Sequence, residues 1–150
     1  MVRFKETMMH KLLVPIDGSE SSMRALDYAI NLAKRQPSLD LHLLTVHPEP
    51  AMYGEILVYV SREKMEELQK AHSLDLLQPA IEAAKAAGVS YTGEILVGDP
   101  APTIVKRTKD LSCEAIIMGT RGMTAIGNLV MGSVATKVLH LTELPVTLVK

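Results

Sequence analysis

The sequence predicts an α/β fold: a doubly wound, five-stranded parallel sheet in the order 3-2-1-4-5, helices on both faces, built as one domain over residues 1–150. Three observations predict it. Five short apolar runs, each closed by a turn signal, alternate with four stretches of helical period, and strict alternation means parallel strands joined by crossover helices. Right-handed crossovers leave few topologies, and 3-2-1-4-5 is the simplest doubly wound one. A length of 150 residues with 47% apolar content is enough to bury a core between two helical layers.

The elements follow in order. "KLLVPI" (11–16) is a buried strand ended by "DGS". Pro15 lacks an N–H and belongs where the ladder opens. Ser19 caps a helix whose Leu26, Ala29, Ile30 and Ala33 recur at three- and four-residue steps, and Pro37 ends it. "LDLHLLTV" (39–46) is the second strand, closed by "HPEP". Residues 49–61 carry no clean period and read as a surface loop. Arg62 to Ala87 is one long helix, with Pro79 as a candidate kink and Gly88 as its stop. "VSYTGEILVG" (89–98) is the third strand, after which Asp99 and Pro100 open a helix to about Lys109. "CEAIIMG" (113–119) is the fourth strand. Val134, Val138 and Leu141 mark the last helix, and "LPVTLVK" (144–150) the last strand.

Composition excludes several functions. The net charge is −1 and aromatics are 3% without tryptophan, so neither a broad basic face for nucleic acid nor a stacking platform for single strands is expected. No apolar run reaches the ~18 residues of a membrane span, and the charged N-terminus does not read as a signal peptide. Cys113 is alone, which rules out a disulfide framework and points to a reducing compartment, the cytoplasm. The five histidines show no zinc spacing. No Ser/His/Asp triad can be argued, and no catalytic residue is assigned.

In a 3-2-1-4-5 sheet the reversal falls between strands 1 and 4, and ligands bind beyond the carboxyl ends there. Two stretches meet at that point: Asp17-Gly18-Ser19 and "MGTRGMTAIGNLVMGS" (118–133). From Gly127 the second reads as a P-loop without its lysine. A second frame pairs Gly119 with Gly122, which leave strand 4, and Gly132 with Ser133, at the start of the next helix. Glycines at these places let backbone N–H groups surround an anion. The residues alone leave open whether they cradle phosphate or only make turns. Arg121 can add charge. Asp17 can accept from an amino or ribose hydroxyl group, cap the first helix, or do both. Val134 follows where a lysine would stabilise the β- and γ-phosphates, so binding without efficient hydrolysis is expected.

These residues also resemble a known family. "LLVPIDGSE", "GDPAPTIV" and "IIMGTRGMTAIGNLVMGSVATKVLHLTELPVTLVK" are similar to the universal stress protein family over nearly the whole chain. The last segment fits its ATP-binding pattern of Gly, two residues, Gly, nine residues, Gly-Ser, here Gly119, Gly122, Gly132 and Ser133. The resemblance implies the same 3-2-1-4-5 sheet and an ATP site. Pro15, Asp17 and the Val46 backbone would surround adenine, with Ile16 counted beside them. Met118 is a candidate for the base as well as for the core. Gly119 and Gly122 would lie along ribose and the first phosphates, with Mg or Mn nearby, and Gly132, Ser133 and Val134 would cradle the phosphates. Arg121 stands among the nucleotide-binding positions. The family pairs through its last strand, here Val146, Thr147, Leu148 and Val149, which implies a homodimer.

The function expected from all this is a homodimeric, ATP-binding regulatory protein of stress response, with slow or no hydrolysis and a protein partner the sequence does not name. Two alternatives stand beside it. One is a weak ATPase or phosphotransferase using Glu49, Glu55 or Arg121. The other is a signalling module that binds AMP or a cyclic nucleotide.

Overall fold

The computed structural model describes residues 8–49, 61–121 and 131–150. Within them the chain runs β1 (Lys11–Pro15), α1 (Glu20–Arg35), β2 (Asp40–His47), α2 (Arg62–Ala87), β3 (Ser90–Val97), α3 (Pro100–Asp110), β4 (Ala115–Gly119), α4 (Ser133–Leu141) and β5 (Val146–Val149). All strand pairings are parallel, and the sheet order is β3-β2-β1-β4-β5, as the alternation predicted.

Strand parity sorts the core into two layers. Leu12, Val14, Leu41, Leu43 and Ile117 face α1 and α2, where they meet Ala25, Leu26, Ala29, Leu77, Ala80 and Ala84. Leu13, Leu44, Ile116 and Met118 face the other way, onto Ala101, Ile104 and Val105 of α3 and Ala135 and Val138 of α4. Adjacent residues of one strand thus serve opposite layers, because side chains alternate across a sheet. Both faces of β1 and β4 are covered, which is why residues 12–14 and 115–118 are apolar without a break.

The helix ends follow local chemistry. Ser19 caps α1 by accepting from Ser22 N, and Ser61 caps α2 by accepting from Lys64 N. Gly88 closes α2 at φ 68, the left-handed conformation that lets a helix terminate. Helix α2 runs continuously through Pro79. Asp99 occupies the N-cap position of α3 but makes no side-chain cap bond; Pro100 in the first turn removes an N–H that would otherwise need a partner.

Several strands are shorter than the apolar pattern suggests, for identifiable reasons. Cys113 N bonds back to Thr108 O and closes the end of α3, so β4 begins at Ala115. Leu144 N is taken by Thr142 Oγ1 at 3.1 Å, and Pro145 has no N–H to give, so β5 begins at Val146. Pro15 is the last residue of β1, where its missing donor leaves no gap in the ladder.

Candidate functional site

The sheet reverses between β1 and β4, and the loops leaving those strands stand side by side. After β1, Asp17 Oδ1 accepts from Ser19 N at 2.9 Å and from Ser19 Oγ at 2.5 Å. Ser19 Oγ in turn accepts from Ser22 N at 3.2 Å. Asp17 is therefore not the helix cap; it holds the cap residue. All its hydrogen bonds among the described residues go through Oδ1, which leaves Oδ2 for a group arriving from outside.

The loop after β4 is pinned to the same place. Ser21 Oγ donates to Arg121 O at 2.6 Å, with Ser19 Oγ 3.2 Å from the same carbonyl. Gly119, the last residue of β4, lies against the first turn of α1. A Cβ built there would collide with Ser21 Oγ and stand 2.7 Å from Ser21 C and 2.8 Å from Ser22 N. Close packing of strand on helix thus requires glycine at 119, independently of any ligand.

Thr120 ties the far end of that loop. Its N–H donates to Val149 O at 2.9 Å, and its carbonyl accepts from Gly132 N at 2.6 Å. The start of α4 is thereby brought beside the carboxyl end of β4. Gly132 caps α4 in an extended conformation, φ −60 and ψ 153, without a side-chain bond. The first-turn N–H groups of a helix have no partners within it, so Ser133 and Val134 offer backbone donors at the positive end of the helix dipole. Ser133 is exposed and Val134 half-buried.

The remaining predicted positions divide between this rim and the core. Ile16 is buried, with its N–H on Leu44 O and its carbonyl accepting from Thr45 Oγ1 at 2.9 Å. Met118 is buried in the α3–α4 layer. Pro15, Val46 and Arg121 are half-buried. Gly122, Gly127 and residues 50–60 of the expected surface loop lie outside the described residues. Val146, Thr147, Leu148 and Val149 form the edge strand, in which Thr147 is exposed and the other three are half-buried. Among the described residues no group of three or more His, Cys, Asp or Glu stands together as metal ligands.

One polar cluster was not foreseen. His42 on β2, Glu94 on β3 and Arg107 on α3 form a hydrogen-bonded trio over the α3–α4 face of the sheet. Arg107 donates Nε to Glu94 Oε2 at 2.8 Å and Nη2 to Oε1 at 2.9 Å. His42 Nε2 stands 2.7 Å from Oε2, and against an ionised carboxylate that nitrogen is the donor. Burial raises the Glu94 pKa, but the hydrogen bonds from Arg107 and His42 outweigh it and hold the carboxyl below its ordinary value. The Glu94 bond likewise pushes the Arg107 guanidinium up. The signal in the sequence was a titratable side chain inside each of two apolar strands, His42 in "LDLHLL" and Glu94 in "GEILV". Cys113 is buried, and burial pushes its thiol up to about 11.

Comparison with known proteins supplies an independent line. The universal stress protein family model matches residues 8–150. The chain is 35% identical to the universal stress protein YxiE of Bacillus subtilis over 149 residues, covering 95% of this chain and 100% of that protein. It resembles the solved structure of the hypothetical protein MJ0577 with a TM-score of 0.82 and 27% identity, over 96% of this chain and 97% of the other. A universal stress protein family protein from Arabidopsis thaliana, solved with AMP bound, shares the fold at a TM-score of 0.65 and 21% identity, over 93% and 90% of the two chains.

Proposed function

The chain belongs to the universal stress protein family, and from that premise we propose that it is an adenine-nucleotide-binding regulatory protein of the stress response, with ATP as its ligand. The observation that carries this reading is the junction at Thr120, which sets the open N-terminus of α4 beside the carboxyl end of β4 and within the same rim as Asp17. Backbone donors and a helix dipole suit phosphate. The free oxygen of Asp17 suits a hydroxyl or amino group. The Arabidopsis neighbour, solved with AMP bound, supports an adenine nucleotide as the class of ligand.

In this reading Pro15, Ile16, Asp17 and Val46 border the base, Met118 underlies it, and Gly119, Arg121 and Gly122 follow the ribose and first phosphates. Gly132, Ser133 and Val134 hold the remaining phosphates, whose charge Mg or Mn would share. Position 133 carries serine where a P-loop carries its lysine, and Val134 after it offers no cation either, so hydrolysis is slow or absent and the protein acts by its bound state. Pairing of β5 edges through Val146, Thr147, Leu148 and Val149 would form a homodimer and remove an exposed edge. Leu139 and Leu141, exposed on α4, would extend that face. A cytoplasmic location and a protein partner complete the reading.

A second reading, AMP or a cyclic nucleotide as the resident signal, is favoured by the AMP in the Arabidopsis structure. Mass spectrometry of nucleotide released from the purified protein separates the two. Thermal unfolding tests both: saturating ATP with Mg²⁺ should raise the melting temperature, because a ligand that binds only the folded state stabilises it. Gly132→Val places a branched side chain in the phosphate path and should abolish that rise. Its backbone conformation suits any residue, so the unliganded melting temperature should hold. An unchanged wild-type melting temperature at millimolar ATP and at millimolar AMP overturns the reading.

A further inference from the structure

The sheet has a second edge, far from β5. Strand β3 ends the order on that side and, among the described residues, pairs only with β2. Gly98 N donates to His47 O at 2.9 Å, which fixes the direction of the backbone groups along the strand. Successive residues of a strand turn their N–H and C=O to opposite edges. The even-numbered residues therefore bond to β2, and Tyr91, Gly93, Ile95 and Val97 turn their N–H and C=O outward. Ser90, Thr92, Gly93 and Val97 are exposed. A glycine has only backbone to expose, so the edge is open at its centre.

Open edges are usually guarded by short length, proline, lysine or a bulge. Strand β5 has two of these: it is 4 residues long and follows Pro145. Strand β3 is 8 residues long, "SYTGEILV", with neither proline nor lysine. It pairs with β2 in unbroken register from Ser90 to Val97, so no bulge interrupts it. Its one charged residue, Glu94, is held by both oxygens to Arg107. The edge thus presents no unpaired charge to a strand that approaches it.

We propose that this edge is a self-association surface whose occupant is β3 of a second copy, laid antiparallel about a two-fold axis at Gly93. The inference is independent of the nucleotide reading and uses the edge opposite β5. The sequence of β3 matches its own reverse about this axis. Residues opposite each other in an antiparallel pair both turn outward or both turn inward, so the axis falls on a residue. At Gly93 it sets Tyr91 opposite Ile95 of the second copy, an aromatic against a β-branched side chain, on the α2 face of the sheet. Thr92 then faces Glu94 of the second copy on the other side. An axis at Glu94 would crowd two carboxylates together, and one at Thr92 would set Tyr91 against a glycine. Helix α2 adds to the same contact. Ile81 lies over Gly93, with Cδ1 3.0 Å from where a Cβ would be. Leu74, about two turns before it on the same flank of the helix, is 49% exposed. Both stand beside the edge that a second copy would cover.

A register-specific disulfide tests the pairing. Full-length Tyr91→Cys and Ile95→Cys proteins, mixed and oxidised, should give a disulfide-linked heterodimer; the native Cys113 is buried. Neither variant alone should cross-link, because like positions lie about 14 Å apart in this register, beyond the reach of a disulfide. Sedimentation from about 1 µM to about 1 mM covers weak association. Gly93→Pro removes an outward N–H while leaving the ladder to β2 intact, as proline does on an edge strand. It should weaken association about tenfold, since each copy loses the bond its residue 93 donates. Gly93→Ala makes the same Ile81 contact but keeps the N–H, so it should associate as the wild type does. The proposal is overturned if the wild type stays monomeric throughout, or if the mixture cross-links no more than either variant alone. It is equally overturned if Gly93→Pro associates like the wild type, which would place the contact on another surface such as β5. A loss in Gly93→Ala as large as in Gly93→Pro would trace the effect to the fold and overturn it too. Should either cysteine variant fail to fold, the two Gly93 variants decide.

Discussion

Gly119 stands against the backbone of Ser22: a Cβ at 119 would come within 2.8 Å of Ser22 N. The neighbour is main chain in the first turn of α1, which cannot swing aside as a flexible side chain would. Gly119→Ala is therefore expected to destabilise the ligand-free protein by about 1–3 kcal/mol, the ordinary cost of overpacking a filled site. Urea denaturation without nucleotide measures it. A loss seen only with nucleotide present would place the demand for glycine in the ligand, not in the packing.

Three turn positions make a graded series in backbone strain. Gly88 has φ 68 and open space where a Cβ would stand, Gly18 has φ 80 with Leu76 Cδ2 in the way, and Ser112 carries a side chain at φ 54. Gly88→Ala should cost about 1–2 kcal/mol, the penalty for a Cβ in left-handed backbone. Gly18→Ala should cost more, since it adds a collision to the same strain. Ser112→Gly should gain about 0.5 kcal/mol, the relief of strain less the added freedom of the unfolded chain. Chemical denaturation of the three variants checks the order, and a Gly18→Ala loss no larger than that of Gly88→Ala would contradict the Leu76 contact.

The Glu94 carboxylate and the buried thiol give stability a pH profile with two limbs. Glu94 has a lowered pKa in the folded chain, so its contribution is complete above the unfolded value of about 4.3. It is lost as pH falls through the folded value. Cys113 has its pKa raised by burial to about 11, so its contribution is complete below the unfolded value near 8.5 and is lost as pH climbs from there. Glu94→Gln should flatten the acid limb and cost about 1–3 kcal/mol at neutral pH, since His42 and Arg107 then face a weaker acceptor. Cys113→Ala should flatten the alkaline limb. Unfolding free energies measured from pH 3 to 10 read both limbs.

The architecture was legible because it depends on local signals repeated along the chain. The nine elements follow from apolar period, and Ser19, Gly88 and Pro100 punctuate helices by chemistry that needs no distant partner. The placing of Asp17 and Gly132 beside the switch point was legible because that point follows from strand order alone. The reason for Gly119 was not, because spacing cannot distinguish a glycine that admits phosphate from one that admits Ser21 and Ser22. His42, Glu94 and Arg107 were missed for a related reason. They sit on three elements, and each alone reads as an isolated polar residue.

The two bonds of Thr120, to Val149 and to Gly132, have a consequence for how this chain can change. Both ends of the segment 121–131 are clasped at one residue of the frame, so the frame does not rely on the intervening residues to stay closed. Each doubling of a loop's length adds only about 0.6 kcal/mol of closure entropy. The segment between those anchors is thus open to change in length and composition at little cost, while the sheet beneath keeps its register.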